Sequence, residues 1–338
     1  PLSPRSIEAT RQTNRGSAAF VPVDRVGLST IFVQRGNNTI RELAFDFNVD
    51  GLVARDFSLV SEHLLRSGVV RLTYQQNPDS ILWFVRGDSR FLGFTLEGDQ
   101  KVFAWHQHQL GGAFAGSDAA VETITTTTEG GKDRVWMVVK RTINGVTRRY
   151  IEFMTQPWFE NVDGIENAFF VDSGLTGNFS GAGNATISGL SHLEGETVQI
   201  LADGATHPDR TVVGGSITLD RKANVVHVGL GYEARLETFP LEEGIRGSTT
   251  RGKTKRISQA HLLFHQTVGA LFGREKLDRI PFRDSSMAMN QPVPPFTGTK
   301  SFRMPMRHNT QAFVTVVSDQ PLPVTLLGIT AEMEFSDT

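Results

Sequence analysis

The chain has 338 residues, 39% hydrophobic and 21% charged, with a formal net charge of −2 at pH 7. That is ordinary for a globular protein, is long enough for about two domains, and excludes a whole-chain electrostatic pull on nucleic acid or anionic lipid. The sequence contains no Cys, which excludes disulfides, thiolate chemistry and Cys-ligated metals.

Residues 1 to 25 are polar, with at most a turn of helix at Ile7–Gln12. The start, Pro1-Leu2-Ser3-Pro4, lacks an initiator Met and an apolar core, so it is not a signal peptide and reads as the start of a fragment or processed product. No run approaches the ~18 apolar residues of a membrane-spanning helix. Strands are expected at about 29–35 and 40–47, across Gly36-Asn37-Asn38. Asp56–Leu65 is the best helix candidate: Asp56 can cap it, Phe57, Val60, Leu64 and Leu65 share a face, and Gly68 follows its end. Val69–Tyr74, Ile81–Arg86, Phe91–Glu97 and Val102–His108 then read as consecutive strands. Asn77-Pro78-Asp79, Gly87-Asp88 and Gly98-Asp99 supply their turns. The Thr-rich strand Ala119–Thr128 turns at Gly130-Gly131 into Val135–Arg141, and Asn144-Gly145 closes a hairpin onto Arg149–Met154.

A pattern recurs here. Phe32, Trp83 and Trp136, each in an apolar strand before a polar turn and a second strand, stand 51 and then 53 residues apart. Several strands in a unit of about 40–50 residues is the mark of a β-propeller blade. The text changes near Asp163, and Gly174–Gly183 has the composition of a boundary. Four or five short strands between about 186 and 240 make a small β-barrel or sandwich. Ile257–Gln266, Phe313–Val317 and Val324–Phe335 return to blade-like text around a proline-rich loop at Asp284–Thr299. The expected fold is therefore all-β: propeller-like blades over 1–170, a small β-barrel or sandwich module over 171–242, and a return to the propeller over 243–338.

Few groups suggest chemistry. His106 and His108 share a strand face and could begin a metal site, but no third ligand is apparent nearby, so a half-exposed strand face is the preferred reading. His192 and His207 flank the module, and His261 and His265 sit four apart in a strand; structural roles are preferred for all four. The Gly pairs fit no phosphate-binding loop, and GxSxG and HExxH are absent. Glu194 and Glu196 could pair as in glycosidases, but a solvated turn is the simpler reading. Residues 246–256 hold five basic side chains and no acid, so Arg246, Arg251, Lys253, Lys255 and Arg256 form a candidate phosphate- or DNA-contact loop. It has no interleaved aromatics for base stacking. The four Trp fall at strand positions and are expected in the core. No cofactor is expected.

The runs ARDFSLVSEHLL, LTYQQNPDSILWFVRGDSRFLGFTLEGDQKVFAWHQHQLGG and RVWMVVKRTINGVTRRYIEFM resemble the tail nozzle (tail tubular, or hub) proteins of short-tailed bacteriophages and related prophages. GLSHLEGETVQILADG, VVHVGLGYEARLETFPLE and SDQPLPVTLLGI resemble them too, so the likeness runs from about residue 10 to the end. It implies a structural virion protein, not an enzyme, made in the host bacterial cytoplasm and built on a β-propeller with a small β-domain. Such proteins form homo-hexameric rings beneath the head-to-tail adaptor, pass genomic DNA during ejection, and seat tail fibres or a needle. In that family further residues precede the position matching Pro1, which leaves the blade number open. A near-neutral wall suits a conduit that must not hold DNA. The Gln291–Phe296 loop and the Glu122–Glu129 strand are the expected interface elements. Two other readings stay open: an adhesin of the tail tip that binds surface glycan, and a glycan-degrading enzyme on a propeller scaffold.

Overall fold

A computed structural model describes residues 14–159, 162–242, 244–245, 248–249, 251–289, 291–304 and 308–336. The chain is all-β and divides into two compact units. One holds Pro1–Gln109, Ala113–Thr142 and Thr147–Gln156; the other holds Leu110–Gly112, Ile143–Val146 and Pro157–Thr338.

In the first unit, β1 (Asp24–Val26), β2 (Ser29–Val33), β3 (Ile40–Asp46) and β4 (Gly51–Asp56) form an antiparallel meander. A second meander follows: β5 (Val69–Gln75), β6 (Ile81–Arg86), β7 (Phe91–Glu97) and β8 (Val102–His108). These are two sequential four-stranded blades. They share one apolar core, with Ile31, Val33, Ile40, Leu65, Leu72, Leu82, Phe84, Leu92 and Phe94 all buried. β6 is apolar on both faces because both are covered. Leu82 and Phe84 join the shared core, and β11 (Ala120–Glu129) lies on the other side, where the Thr73 and Thr126 hydroxyls meet at 3.0 Å. Before β11, β9 (Ala113–Phe114) and β10 (Ser117–Asp118) make a short hairpin. With β12 (Lys132–Ile143) and β13 (Val146–Phe153), β11 forms a sheet of three strands.

The turns follow their sequences. Gly130-Gly131 and Asn144-Gly145 carry positive φ at both positions, the two-residue geometry that keeps the strand twist. Phe32, Trp83 and Trp136 each lie on the second strand of their sheet, but only Phe32 and Trp83 are buried. Trp136 is half-buried against Phe153, its indole N–H donating to Thr127 at 3.0 Å. Trp105 and Trp158 are half-buried as well, so the core expectation holds fully for Trp83 alone.

The predicted helix at Asp56–Leu65 is replaced by the end of β4 and a single 3-10 turn, Glu62–Leu65. Asp56 pairs with Arg41 across β3–β4 and accepts from the Ser58 amide (2.8 Å) and hydroxyl (2.7 Å), a local turn that competes with a helix start. Ser58 in turn accepts from the buried Ile40 amide at 3.2 Å.

The second unit holds the small module and the C-terminal sheets. The module has a four-stranded sheet, in the order β14 (Asp172–Asn178), β19 (Val225–Leu230), β16 (Thr197–Ala202), β17 (Ala205–Thr211), and a pair, β15 (Asn184–Ser188) with β18 (Ser216–Ala223). Val198, Ile200, Ile217, Leu219, Val226 and Val228 are among its buried residues. The C-terminal sheets depart from a sequential blade. One runs β20 (Ala234–Glu237), β27 (Thr315–Ser318), β24 (Leu271–Gly273), β25 (Leu277–Arg279). Another sets β23 (Thr254–Thr267) between β26 (Phe296–Arg303) and β28 (Leu326–Ser336), and β21 (Gly244–Ile245) pairs with β22 (Ser248–Thr249). Strands far apart in sequence alternate here because Phe264, Phe272, Phe282 and Val316 bury a common core.

Arg141 is a fully buried charge. It falls on the inward face of β12 with Val135, Met137 and Val139, and grips Glu152 of β13 through two nitrogens, one at 3.1 Å. Removing Glu152 takes two charge-assisted hydrogen bonds from a fully buried guanidinium. Glu152→Ala is therefore expected to lower stability by about 3–5 kcal/mol in denaturant unfolding, and exposed Glu129→Ala on the neighbouring strand by less than about 1 kcal/mol.

Candidate functional site

The basic run divides between loop and core. Arg246 lies outside the described residues. Arg251 is exposed and Lys253 half-buried on the approach to β23. Lys255 belongs to β23 and is fully buried, its backbone paired with Asn309. Arg256 meets Glu334 of β28 at 2.6 Å. Lys255 therefore cannot reach a phosphate, and Arg256 is already neutralised. The five-residue contact loop is corrected to a shorter approach in which Arg251 and Lys253 precede the strand.

The expected interface elements are also used within the chain. β11 covers β5 and β6, and Val293 and Phe296 of the proline-rich loop pack against the C-terminal core. The pair Glu194 and Glu196 is spent on turns. Glu194 accepts from the Gly214 and Gly215 amides at 2.9 and 2.7 Å, and Glu196 from the Asn144 amide at 3.2 Å. His207 is a satisfied core residue. Its Nδ1–H donates to the Pro208 carbonyl at 2.8 Å and its Nε2 accepts from the Asp220 amide at 2.9 Å. His192 meets the Ser173 carbonyl at 2.9 Å. His261 meets Ser301 at 2.7 Å, and His265 is exposed on the same strand.

One cluster does converge. β8 alternates, so His106 and His108 project to the same face of the second blade. His106 pairs across the ladder with Gly93, and Gly93 with Trp83; His108 pairs with Phe91. Trp83 stacks on Phe91 at 4.8 Å and 13°, and meets both imidazoles in edge-type contacts with centroids at 5.7 and 5.0 Å. Its N–H donates to Gln75 at 2.8 Å, which fixes the ring. Nδ1 of His106 and Nε2 of His108 stand 2.6 Å apart, and Nε2 of His106 lies 3.2 Å from the Thr95 hydroxyl. The arrangement needs Gly93: a Cβ there would lie 2.0 Å from His106 Cε1. Sequence reading found the two His but not Gly93 or Thr95, although a glycine inside the apolar run Phe91–Phe94 signals close approach.

Burial disfavours the imidazolium. It pushes His106 down and, with the neighbouring His106 charge, pushes His108 down to about 4. Both imidazoles are neutral at pH 7.

No family model matches the chain, and no curated protein matches it. Among solved structures it is similar to an exo-β-1,3-galactanase from Phanerochaete chrysosporium with galactose, at 11% identity and a TM-score of 0.23. A variant of the same enzyme with β-1,3-galactotriose matches at 10% and 0.22. The alignments cover 90% of this chain and 65% of the other, so the chain spans about two thirds of the length of those structures. The expectation that the chain is not an enzyme is withdrawn, because the similar structures are those of an enzyme. A TM-score this low assigns no substrate, activity or residue to this chain.

Two outcomes test the cluster. Gly93→Ala is expected to displace the His106 ring and cost about 1–3 kcal/mol in urea unfolding, with much of that loss absent when His106 is also Ala. In NMR titration His108 is expected to protonate near pH 4. Its unfolded value is higher, so its contribution to stability is complete above about 6.5 and is lost as pH falls toward 4.

Proposed function

We propose that the chain is a structural subunit of a short-tailed bacteriophage tail nozzle, assembling as a ring of copies through which genomic DNA leaves the capsid. The observation that carries this reading is where the resembling segments lie in the fold. LTYQQNPDSILWFVRGDSRFLGFTLEGDQKVFAWHQH runs from Leu72, within β5, to the end of β8, and so takes in part or all of each strand of a four-stranded blade. GLSHLEGETVQILADG supplies an interior strand of the module, running through its 3-10 turn (Ser191–Leu193) and β16 to the Asp203-Gly204 turn. A repeated blade followed by a small separate β-module is the organisation the resemblance implies. The head-to-tail adaptor and tail fibres or a needle are its proposed partners, and the virion its proposed location.

Ring assembly needs apolar surface left over after the chain has folded. The β3–β4 hairpin supplies some: Phe45, Phe47, Val49 and Leu52 are exposed, and the two Phe rings meet edge-on at 5.1 Å. An open hairpin tip of this kind suits contact between copies, and it replaces the elements expected from sequence.

Light scattering on the purified chain, followed by negative-stain imaging, tests the reading. A hexameric ring with a central hole is expected; a species with the mass of one chain at every concentration overturns it. Phe45→Ser with Phe47→Ser is expected to weaken assembly about 10-fold or more, at an unchanged unfolding midpoint of the isolated chain.

A further inference from the structure

The paired imidazoles of the second blade have no part in the conduit role. We propose that His106 and His108 form a divalent transition-metal site that takes Cu2+ most tightly. The geometry carries the argument. The facing nitrogens, His106 Nδ1 and His108 Nε2, are 2.6 Å apart and share one hydrogen bond, so a single proton holds the place between them that an ion would take. Two imidazole nitrogens at about 2.0–2.1 Å from one ion, at about 90–110°, stand about 2.9–3.4 Å apart. A small rotation of either ring opens the pair to that separation.

The far side of His106 is already prepared. Its Nε2 faces the Thr95 hydroxyl at 3.2 Å, an oxygen that can accept from the tautomer with the proton on Nε2 and the lone pair on Nδ1. Metal-binding imidazoles are held in this way by an outer hydrogen bond. In the bound state the proton shared by the facing nitrogens has moved, by exchange with solvent, to the far nitrogen of its own ring, so His106 carries its proton on Nε2, His108 on Nδ1, and both rings stay neutral. Gly93 gives the His106 ring its place, and Trp83 with Phe91 walls one side.

Among the described residues no third His, Cys, Asp or Glu completes a cluster. The remaining positions fall to water or to a group brought from outside. A two-nitrogen site of this kind follows the general order of affinity, with Cu2+ ahead of Ni2+ and Zn2+.

Cu2+ chloride titrated into the full chain tests the proposal, read by tryptophan fluorescence and frozen-solution EPR. The expected result is a first equivalent with two imidazole nitrogens in the EPR pattern and quenching of Trp83. His106→Ala and His108→Phe should each weaken that equivalent at least about 10-fold, and Thr95→Val about 10-fold. Trp83→Phe should remove the quenching and retain the two-nitrogen EPR pattern. The EPR pattern is read on the unaltered protein, so it decides even if a variant fails to fold. Fewer than two imidazole nitrogens in that pattern, a first equivalent unchanged in both His variants, or no binding overturns the site.

Discussion

Leu82 and Phe84 leave β6 in one direction and Trp83 and Val85 in the other, and all four are buried. A single four-stranded sheet cannot achieve this, because one of its faces would stay wet. Everything in the first unit answers that demand. The β1–β4 blade closes one face through Ile31, Val33 and Ile40, and β11 closes the other. The same demand gives the second unit its crossed strand order, since β24, just after β23, and β27, some way along the chain, together bury Phe272 and Val316 against Ile257, Ala260, Leu262 and Phe264 of β23. Sequential blades form where covering elements are near in sequence, and mixed sheets where they are not.

The blades were legible because their signals are local. Ile81–Arg86, Phe91–Glu97 and Val102–His108 are bounded by turn chemistry and match β6, β7 and β8 residue for residue. The Asn144-Gly145 turn is equally local. What failed was set at long range. Asp56 reads as a helix cap, but β3 claims it, and Ser58 is drawn under Ile40. The run of five basic residues joins two environments, since β23 begins at Thr254 in its middle. Charge alone gives no sign of that boundary.

Buried charge was the least legible feature of all. Alternation places Arg141 in line with Val135, Met137 and Val139, so strand period predicts an inward side chain and composition predicts an outward one. Period wins because Glu152 stands on the next strand to receive two hydrogen bonds. Lys255 is the harder case: it too is fully buried, and its Nζ has no hydrogen-bond partner among the described residues. Desolvating an ammonium costs several kcal/mol without compensation. The long β23, paired on both sides, holds Lys255 in place through its backbone, so the ladder rather than the side chain fixes its position.

Strand period also falls short of explaining the imidazole pair. Residues i and i+2 on a strand are about 6.6 Å apart, too far for two rings that both stand upright to touch. The His106 ring must lean, and it can do so because the position across from it has no side chain. Trp83, two strands away from His106, then limits where both rings can rest. Two neutral imidazoles brought together in this way share one short contact while a lone pair is left to compete for a proton or a cation. The chemistry available at β8 is therefore decided on β7, by a glycine whose substitution would change no charge and remove no donor.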